Sequence, residues 1–159
     1  MPVQTFRYSP HANRAADIRW REWGDAAFAE AGTGSLIFLH ITAVWSRQCH
    51  RMDETAFSTP DVIELLNGSF VPVRVDADRL PHVQDRYITG GWPTNAFLTP
   101  TGEVLWASAY VEADELLRVG RDVLAMWTER RDELSTEIER RRRALEATRN
   151  RHEPVGLVR

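Results

Sequence analysis

The residues that could do chemistry lie in the stretch WSRQCH at positions 45–50, directly after the apolar run SLIFLHITAV. Cys49 is the only cysteine of the 159-residue chain, so an internal disulfide and a zinc site built from several cysteines are both excluded. A cysteine at the start of a helix is either a nucleophilic thiol, because the helix N-terminus favours the thiolate, or a buried small apolar side chain. The sequence leaves both interpretations open.

The composition is typical of a soluble globular protein. The chain is 43% hydrophobic and 27% charged, and its net charge is -3, which gives no general attraction to nucleic acid or anionic membranes. The first residues lack the basic and apolar regions of a signal peptide, and no apolar run approaches the roughly 20 residues that span a bilayer. We therefore expect a cytoplasmic protein with no nucleic-acid or membrane partner.

Hydrophobic patterning predicts the element order α-β-α-β-α-β-β-α. The predicted elements are helices at 25–31, 47–55, 60–66, 80–87 and 114–149, strands at 35–41 and 70–78, and a hairpin within 90–111. A parallel strand pair joined by helices and followed by a hairpin predicts an α/β sandwich with helices on both faces of a mixed sheet.

We expect three segments along the chain: an irregular arm over residues 1–16, one α/β domain over 17–128, and a helical extension over 129–159. The last helix carries a weak seven-residue repeat, interrupted by Arg131, at Leu117, Leu124, Ile138 and Leu145. This helix either packs half on the sheet and half in solvent, or provides a contact for a homodimer or a neighbouring domain.

Two sets of motifs carry a resemblance to known proteins. A strand, then WSRQC at the start of a helix, then Trp-Pro before a hairpin, resembles the thioredoxin fold, in which Trp-Cys-x-x-Cys lies against a cis-proline. The motifs W-G-x-x-A-F at 23–28, C-H-x-M at 49–52, LLN-x-x-FVPV-x-VD at 65–76 and GGWP-x-x-x-FLTP-x-G at 90–102 resemble the thioredoxin-like N-terminal domain of the spermatogenesis-associated protein 20 family. The resemblance implies a central mixed sheet flanked by helices, followed here by the long C-terminal helix.

The resemblance also implies a site. Ser46 takes the place of the first, attacking cysteine, Cys49 that of the second, and Pro93 that of the cis-proline. The family usually has two cysteines in C-x-W-C-H, so Ser46 and Gln48 depart from its pattern. A serine hydroxyl does not attack a disulfide without a strong base, which implies a degenerate site without dithiol turnover. Ser46 would then cap the helix or donate a hydrogen bond to a bound group.

The position of His40 suggests a partner for the thiol. Thioredoxins have a buried acid nine residues before the second cysteine, and His40 occupies that position relative to Cys49. His40 is either a base that takes the Cys49 proton or a core histidine hydrogen-bonded to the backbone. A metal site made by these residues with His50 and Asp76 has a weaker basis, because structural metal sites use closely spaced ligand pairs. We expect no metal and no cofactor.

The loop before the predicted hairpin supplies the expected binding residues. Trp45 and Trp92 are expected to form an apolar rim beside the motif. Pro93 and Thr94 are expected to lie beside an extended peptide or glutathione, as in thioredoxin-like proteins.

Three functions are consistent with these residues. The first is a degenerate redox protein acting through the single thiol of Cys49, with His40 and Ser46 assisting. The second is a non-catalytic module that binds a peptide in the groove beside Pro93. The third is a glutathione site in which Ser46 hydrogen-bonds the ligand sulfur. The expected partners are a thiol-bearing or disulfide-bearing protein or peptide, or glutathione.

Overall fold

The computed structural model of the chain describes residues 6–32, 34–87 and 91–150. Its order of helices and strands agrees with the hydrophobic pattern, apart from shifts of a few residues at the ends. Two single turns of 3-10 helix, Ala15–Asp17 and Ala56–Ser58, were not predicted. The helices are α1 Asp25–Ala31, α2 Arg47–Glu54, α3 Pro60–Ser69, α4 Pro81–Tyr87 and α5 Ala113–Asn150, and the strands are β1 Leu36–Thr42, β2 Phe70–Asp76, β3 Thr94–Leu98 and β4 Val104–Ser108.

The four strands form one mixed sheet in the order β2-β1-β3-β4. Strands β1 and β2 are parallel, with Leu36 opposite Phe70, whereas β1 with β3 and β3 with β4 are antiparallel. The parallel pair needs a long connection, and α2 and α3 provide it. The hairpin turns at Gly102, whose φ of +91° favours a residue without a Cβ atom. The predicted α/β class is confirmed.

One face of the sheet is almost purely aliphatic. Alternate residues of β1 and β2, together with Ala96 and Leu98 of β3, pack against α1 and α4 in one buried cluster. The side chains on this face are Ile37, Leu39, Ile41, Val71, Val73 and Val75. A strand that is covered on both faces reads as a continuous apolar run, which explains the sequence LIFLHIT of β1.

The opposite face is built on aromatic rings. Phe38 of β1 contacts Phe57, Phe97 and Trp20, with ring centroids 5.0 to 6.2 Å apart. Trp20 comes from the segment before α1, and its indole N–H donates to the Ala15 carbonyl. The aromatic packing therefore fixes the N-terminal segment to the sheet, and the adjacent Arg21 forms a parallel bridge with Val73 on the edge strand β2.

Helix α5 spans two compact units, which divide between Leu124 and Ala125. The predicted segment boundaries after residues 16 and 128 stay predictions. In the predicted repeat, Leu117 is buried and Leu145 is 68% exposed, while the side chain of Arg131 lies outside the described residues. The contact of this helix with a second copy or another domain also stays a prediction.

In the described part of the chain, no helix is long and apolar enough to cross a bilayer.

Helix α5 packs closely on its neighbours at Gly120. A Cβ atom there would lie 2.9 Å from Leu65 Cδ2 and 3.4 Å from Phe97 Cζ, whereas a Cβ at the exposed Gly68 of α3 would contact nothing within 4 Å. We expect Gly120→Leu to lower the free energy of unfolding by about 1–3 kcal/mol through overpacking. The control Gly68→Leu should leave it equal or slightly higher, because leucine is the better helix former. Urea unfolding followed by circular dichroism measures both; equal effects would contradict this packing.

Candidate functional site

The motif lies where β1 passes into α2. Strand β1 ends at Thr42, and the Ser46 N–H donates to the Ala43 carbonyl at 3.0 Å, which closes the turn. Ser46 has extended dihedral angles, φ -90° and ψ 121°, and is the N-cap residue of α2. Its hydroxyl forms no capping hydrogen bond with the first turn. Ser46 therefore has the predicted N-cap position, but its side chain does not cap the helix.

Cys49 lies one turn into α2 and faces the core. It is a free cysteine with 0% exposure, and its Sγ accepts a hydrogen bond from the Ala43 N–H at 3.4 Å. At the first turn of α2, Ser46 is thus 8% exposed, and the thiol is fully covered. In this conformation no partner could reach the sulfur atom.

His40 lies on β1, opposite Arg74 of β2 and Asn95 of β3. Its Nδ1 is 2.7 Å from Asn95 Oδ1. The Asn95 side-chain nitrogen, Nδ2, donates to the Ala109 carbonyl. Asn95 Oδ1 is therefore the acceptor for His40, and the His40 ring proton is on Nδ1. His40 Nε2 has no hydrogen-bond partner among the described residues. The structure therefore does not join His40 to Cys49 by a hydrogen bond. The histidine is a buried core residue whose partner is a side-chain amide instead of the backbone.

The surroundings of His40 keep its imidazole neutral. Burial lowers the pKa of His40 well below its ordinary value, and the Arg74 charge lowers it further, against a smaller opposite effect of the Asn95 hydrogen bond. A thiolate–imidazolium pair would place a second positive charge in the core beside Arg74. The geometry and the charges thus both oppose the expected role of His40 as the base for Cys49.

The pattern of the sequence did not reveal a buried ion pair below the motif helix. Arg74 Nη2 lies 2.9 Å from Asp53 Oδ2, and both side chains are 1% exposed. The arm adds contacts to the pair: Ser9 N–H donates to the same Asp53 oxygen, Arg74 donates to the Arg7 carbonyl, and the Tyr8 ring lies 4.6 Å from the guanidinium. Asp53 Oδ1 and the Nε and Nη1 atoms of Arg74 have no hydrogen-bond partner among the described residues. The only signal for it in the sequence is an arginine inside the apolar strand FVPVRVD.

The expected binding residues fall into two groups. Trp45 and Trp92 meet edge to face, with ring centroids 5.7 Å apart, and Trp45 is 63% exposed. The Trp92–Pro93 peptide bond is cis. Pro93 and Thr94 are buried, and the Thr94 hydroxyl donates to the Gly91 carbonyl at 3.2 Å. The aromatic pair is therefore available to a ligand, whereas the Thr94 side chain is used inside its own loop.

A shallow groove continues from Trp45 along the outer side of α2. His50 Nε2 lies 2.7 Å from the Val44 carbonyl, so that nitrogen donates, and the Glu54 carboxylate is bound by Ser9 and His11 of the arm. The groove is lined by His11, Trp45, Arg47, Gln48, His50, Arg51 and Glu54. Glu54 is the single acidic residue among them, so the groove favours anionic groups.

The ligands considered for a metal do not assemble. The Asp76 carboxylate pairs with Arg7, and His50 is bonded to the backbone on the other side of the motif. Over residues 6–32, 34–87 and 91–150, no three histidine, cysteine, aspartate or glutamate side chains are grouped so that they could hold a metal ion.

Comparisons with known proteins were made on the sequence and on the fold. The family model Thioredox_DsbH, described as a protein of unknown function, DUF255, matches residues 6–146. Spermatogenesis-associated protein 20 of Rattus norvegicus is 35% identical over 120 residues, which cover 69% of this chain and 15% of that protein. The Homo sapiens protein is 34% identical with the same coverage. The chain thus spans about 15% of the length of these curated relatives.

Solved structures share the fold. A thioredoxin from Thermus thermophilus is 26% identical, with a TM-score of 0.58 over 67% of this chain and 88% of that chain. A DsbH oxidoreductase is 16% identical, with a TM-score of 0.61 over 79% of this chain and 94% of that chain. The arrangement of sheet and helices around the motif is therefore that of thioredoxins.

The neutral state of His40 predicts a pH dependence of stability. Its pKa is depressed in the folded chain, so the unfolded chain binds the proton first as the pH falls. Below about pH 6.5 the free energy of unfolding should then decrease, by up to about 1.4 kcal/mol per pH unit for one proton. Urea unfolding from pH 8 to pH 5 measures this slope.

The matched variant is His40→Gln, which removes this titration and retains a polar side chain. Its free energy of unfolding should change less steeply with pH over the same range. Identical slopes in both proteins would contradict the neutral, buried state of His40.

Proposed function

The chain belongs to the Thioredox_DsbH family, DUF255, and we propose that this thioredoxin-like protein binds an extended polypeptide over Ser46 without dithiol turnover. The observation that carries the proposal is the contrast at the motif. The thiol of Cys49 is fully buried and hydrogen-bonded to the Ala43 N–H, whereas the neighbouring Trp45 is 63% exposed. The Cys49 sulfur is therefore covered, whereas the Trp45 ring is open to contact.

Serine in the attacking position removes the first step of dithiol exchange. That step needs a thiolate at the N-terminus of the helix, which attacks one sulfur of a disulfide and releases the other. Ser46 offers a hydroxyl, which needs a strong base to act as a nucleophile. His40 is hydrogen-bonded to Asn95 through Nδ1, and its Nε2 has no hydrogen bond to any described residue. No base is therefore assigned to Ser46.

The surface beside Ser46 supports binding. The contact between Trp45 and Trp92 joins the loop before α2 to the loop before β3, so a peptide on this rim would contact both loops. Aromatic rings bury a large area with little loss of side-chain entropy. The groove beyond them contains Arg47 and Arg51. We therefore expect a polypeptide with acidic residues next to the segment that covers the rim.

A second candidate function is single-thiol chemistry at Cys49. The observation in its favour is that the free thiol lies in the first turn of α2 with Sγ as a hydrogen-bond acceptor. A Cys49 thiolate would attack one sulfur of glutathione disulfide or a protein disulfide, form the mixed disulfide, and release the other sulfur as a thiolate. The exchange requires that α2 first uncovers the Cys49 sulfur. Binding of glutathione, with the Ser46 hydroxyl hydrogen-bonded to the ligand sulfur, is a separate candidate that needs no reaction at Cys49.

The accessibility of Cys49 separates the two candidates. Because the sulfur is buried, we expect Ellman's reagent to modify the folded protein at least about 100-fold more slowly than the urea-unfolded protein, since reaction must wait for local opening. The measurement is the absorbance of the released thionitrobenzoate. A folded-state rate close to that of the unfolded chain would favour single-thiol chemistry and contradict the binding proposal.

The missing nucleophile is tested by Ser46→Cys. The Ser46 hydroxyl makes no capping bond, so the replacement should leave α2 intact. We expect the wild type to show no reduction of insulin by dithiothreitol above the Cys49→Ala control. The variant should reduce insulin, because the new thiolate can attack the disulfide and Cys49 can resolve the mixed disulfide.

Two results would contradict the proposal. Turnover by the wild type would show that a dithiol is not required. An inactive but folded Ser46→Cys variant would show that the groove does not bring polypeptide to position 46. With the active variant, disulfide peptides that carry acidic flanks should react faster than peptides with basic flanks.

A further inference from the structure

We propose that the chain has a second binding site, for a small zwitterion with an apolar or aromatic body, in a cavity at the edge of β2. The cavity has a volume of about 280 Å³, just below the roughly 300–1,000 Å³ of typical ligand sites, so it suits a small ligand. It lies between the arm, the segment before α1, and the C-terminal ends of β1 and β2. No residue of α2 lines it, so it is separate from the groove along the outer side of α2.

One wall of the cavity is apolar and fixed in place. Trp23 and Leu80 both line it and are only partly buried. The Trp23 ring is held edge to face by Phe28 and Tyr87, with centroids 5.0 and 5.6 Å apart. A ring that is already held by its neighbours offers a preformed flat surface, which favours an aromatic or branched aliphatic ligand.

Buried polar atoms without a partner border the same space. Arg74 lines the cavity, its side chain is 1% exposed, and its Nε and Nη1 atoms have no hydrogen-bond partner among the described residues. Buried polar groups are nearly always hydrogen-bonded in folded proteins. An acceptor atom of a ligand that reached these nitrogens from the cavity would complete their hydrogen bonding.

The charges of the lining residues indicate which groups the ligand carries. Arg7 is paired with Asp76, and Arg74 is paired with Asp53. This leaves Arg79 and Glu22, both exposed, whose side chains form no ion pair within the part of the chain that the structure describes. One unpaired charge of each sign is complementary to a ligand with one carboxylate and one ammonium group, such as a free amino acid with an apolar side chain.

The test uses L-phenylalanine as the probe on the full chain. Its addition should shift the Trp23 indole N–H cross-peak in a ¹⁵N–¹H correlation spectrum, with saturation, and the peak is assigned with Trp23→Phe. Phenylacetate, which lacks the ammonium group, and phenethylamine, which lacks the carboxylate, should each bind more weakly by up to about fivefold, the effect of one exposed ion pair. Absence of a saturable shift with L-phenylalanine up to about 20 mM would overturn the proposal.

Charge-neutral variants assign the two contacts. Arg79→Gln should weaken L-phenylalanine and phenylacetate binding by up to about fivefold and leave phenethylamine unchanged. Glu22→Gln should weaken L-phenylalanine and phenethylamine and leave phenylacetate unchanged. The control Arg47→Gln, in the groove along α2, should change none of them. The Arg79 and Glu22 side chains are exposed, so both variants should fold. Unchanged affinity for L-phenylalanine in either variant would overturn the assignment.

Discussion

The position of the motif helix depends on one buried ion pair, between Arg74 of β2 and Asp53 of α2. Both side chains are 1% exposed at an Nη2–Oδ2 distance of 2.9 Å. Either charge alone would be strongly destabilising in the core, so the strand and the helix must meet at this point. The arm is held by the same requirement, because Ser9 supplies a further donor to Asp53 and the Tyr8 ring covers the guanidinium. A polar arm with little regular structure is thereby a fixed part of the fold.

The same guanidinium determines the chemistry available beneath Cys49. His40 is next to Arg74 in the sheet and is bonded to Asn95 on its other side, so it is most stable as a neutral imidazole with its proton on Nδ1. The resemblance to thioredoxins leads one to expect an acid at position 40. Here the buried acid is Asp53, which forms an ion pair with Arg74. Position 40 is occupied by a neutral histidine. The core is therefore electrostatically balanced without a proton acceptor bonded to the thiol.

The sequence predicted the helices and strands well, but it did not predict which buried polar side chains pair with one another. Apolar runs and helix-terminal residues are local signals, and they located β1 and α2 to within a residue or two at most ends. The polar core is made by residues far apart in the chain: Asp53 with Arg74, and His40 with Asn95. Arg74 lies in the middle of the apolar strand FVPVRVD, and β2 is covered on both faces along nearly all its length. No local pattern distinguishes a buried, paired arginine from an exposed one.

The arrangement at the motif favours recognition over exchange. Thiol exchange would require α2 to move away from Ala43 and disturb a helix that Asp53 anchors to the sheet, and such opening costs free energy. Contact on Trp45 requires no such opening, because its ring is already 63% exposed and is packed edge to face on Trp92. A preformed surface loses less entropy on binding than one that must be uncovered first. On the proposed function, the Ser46 hydroxyl in place of the attacking sulfur removes the redox step and leaves unchanged the scaffold that presents Trp45.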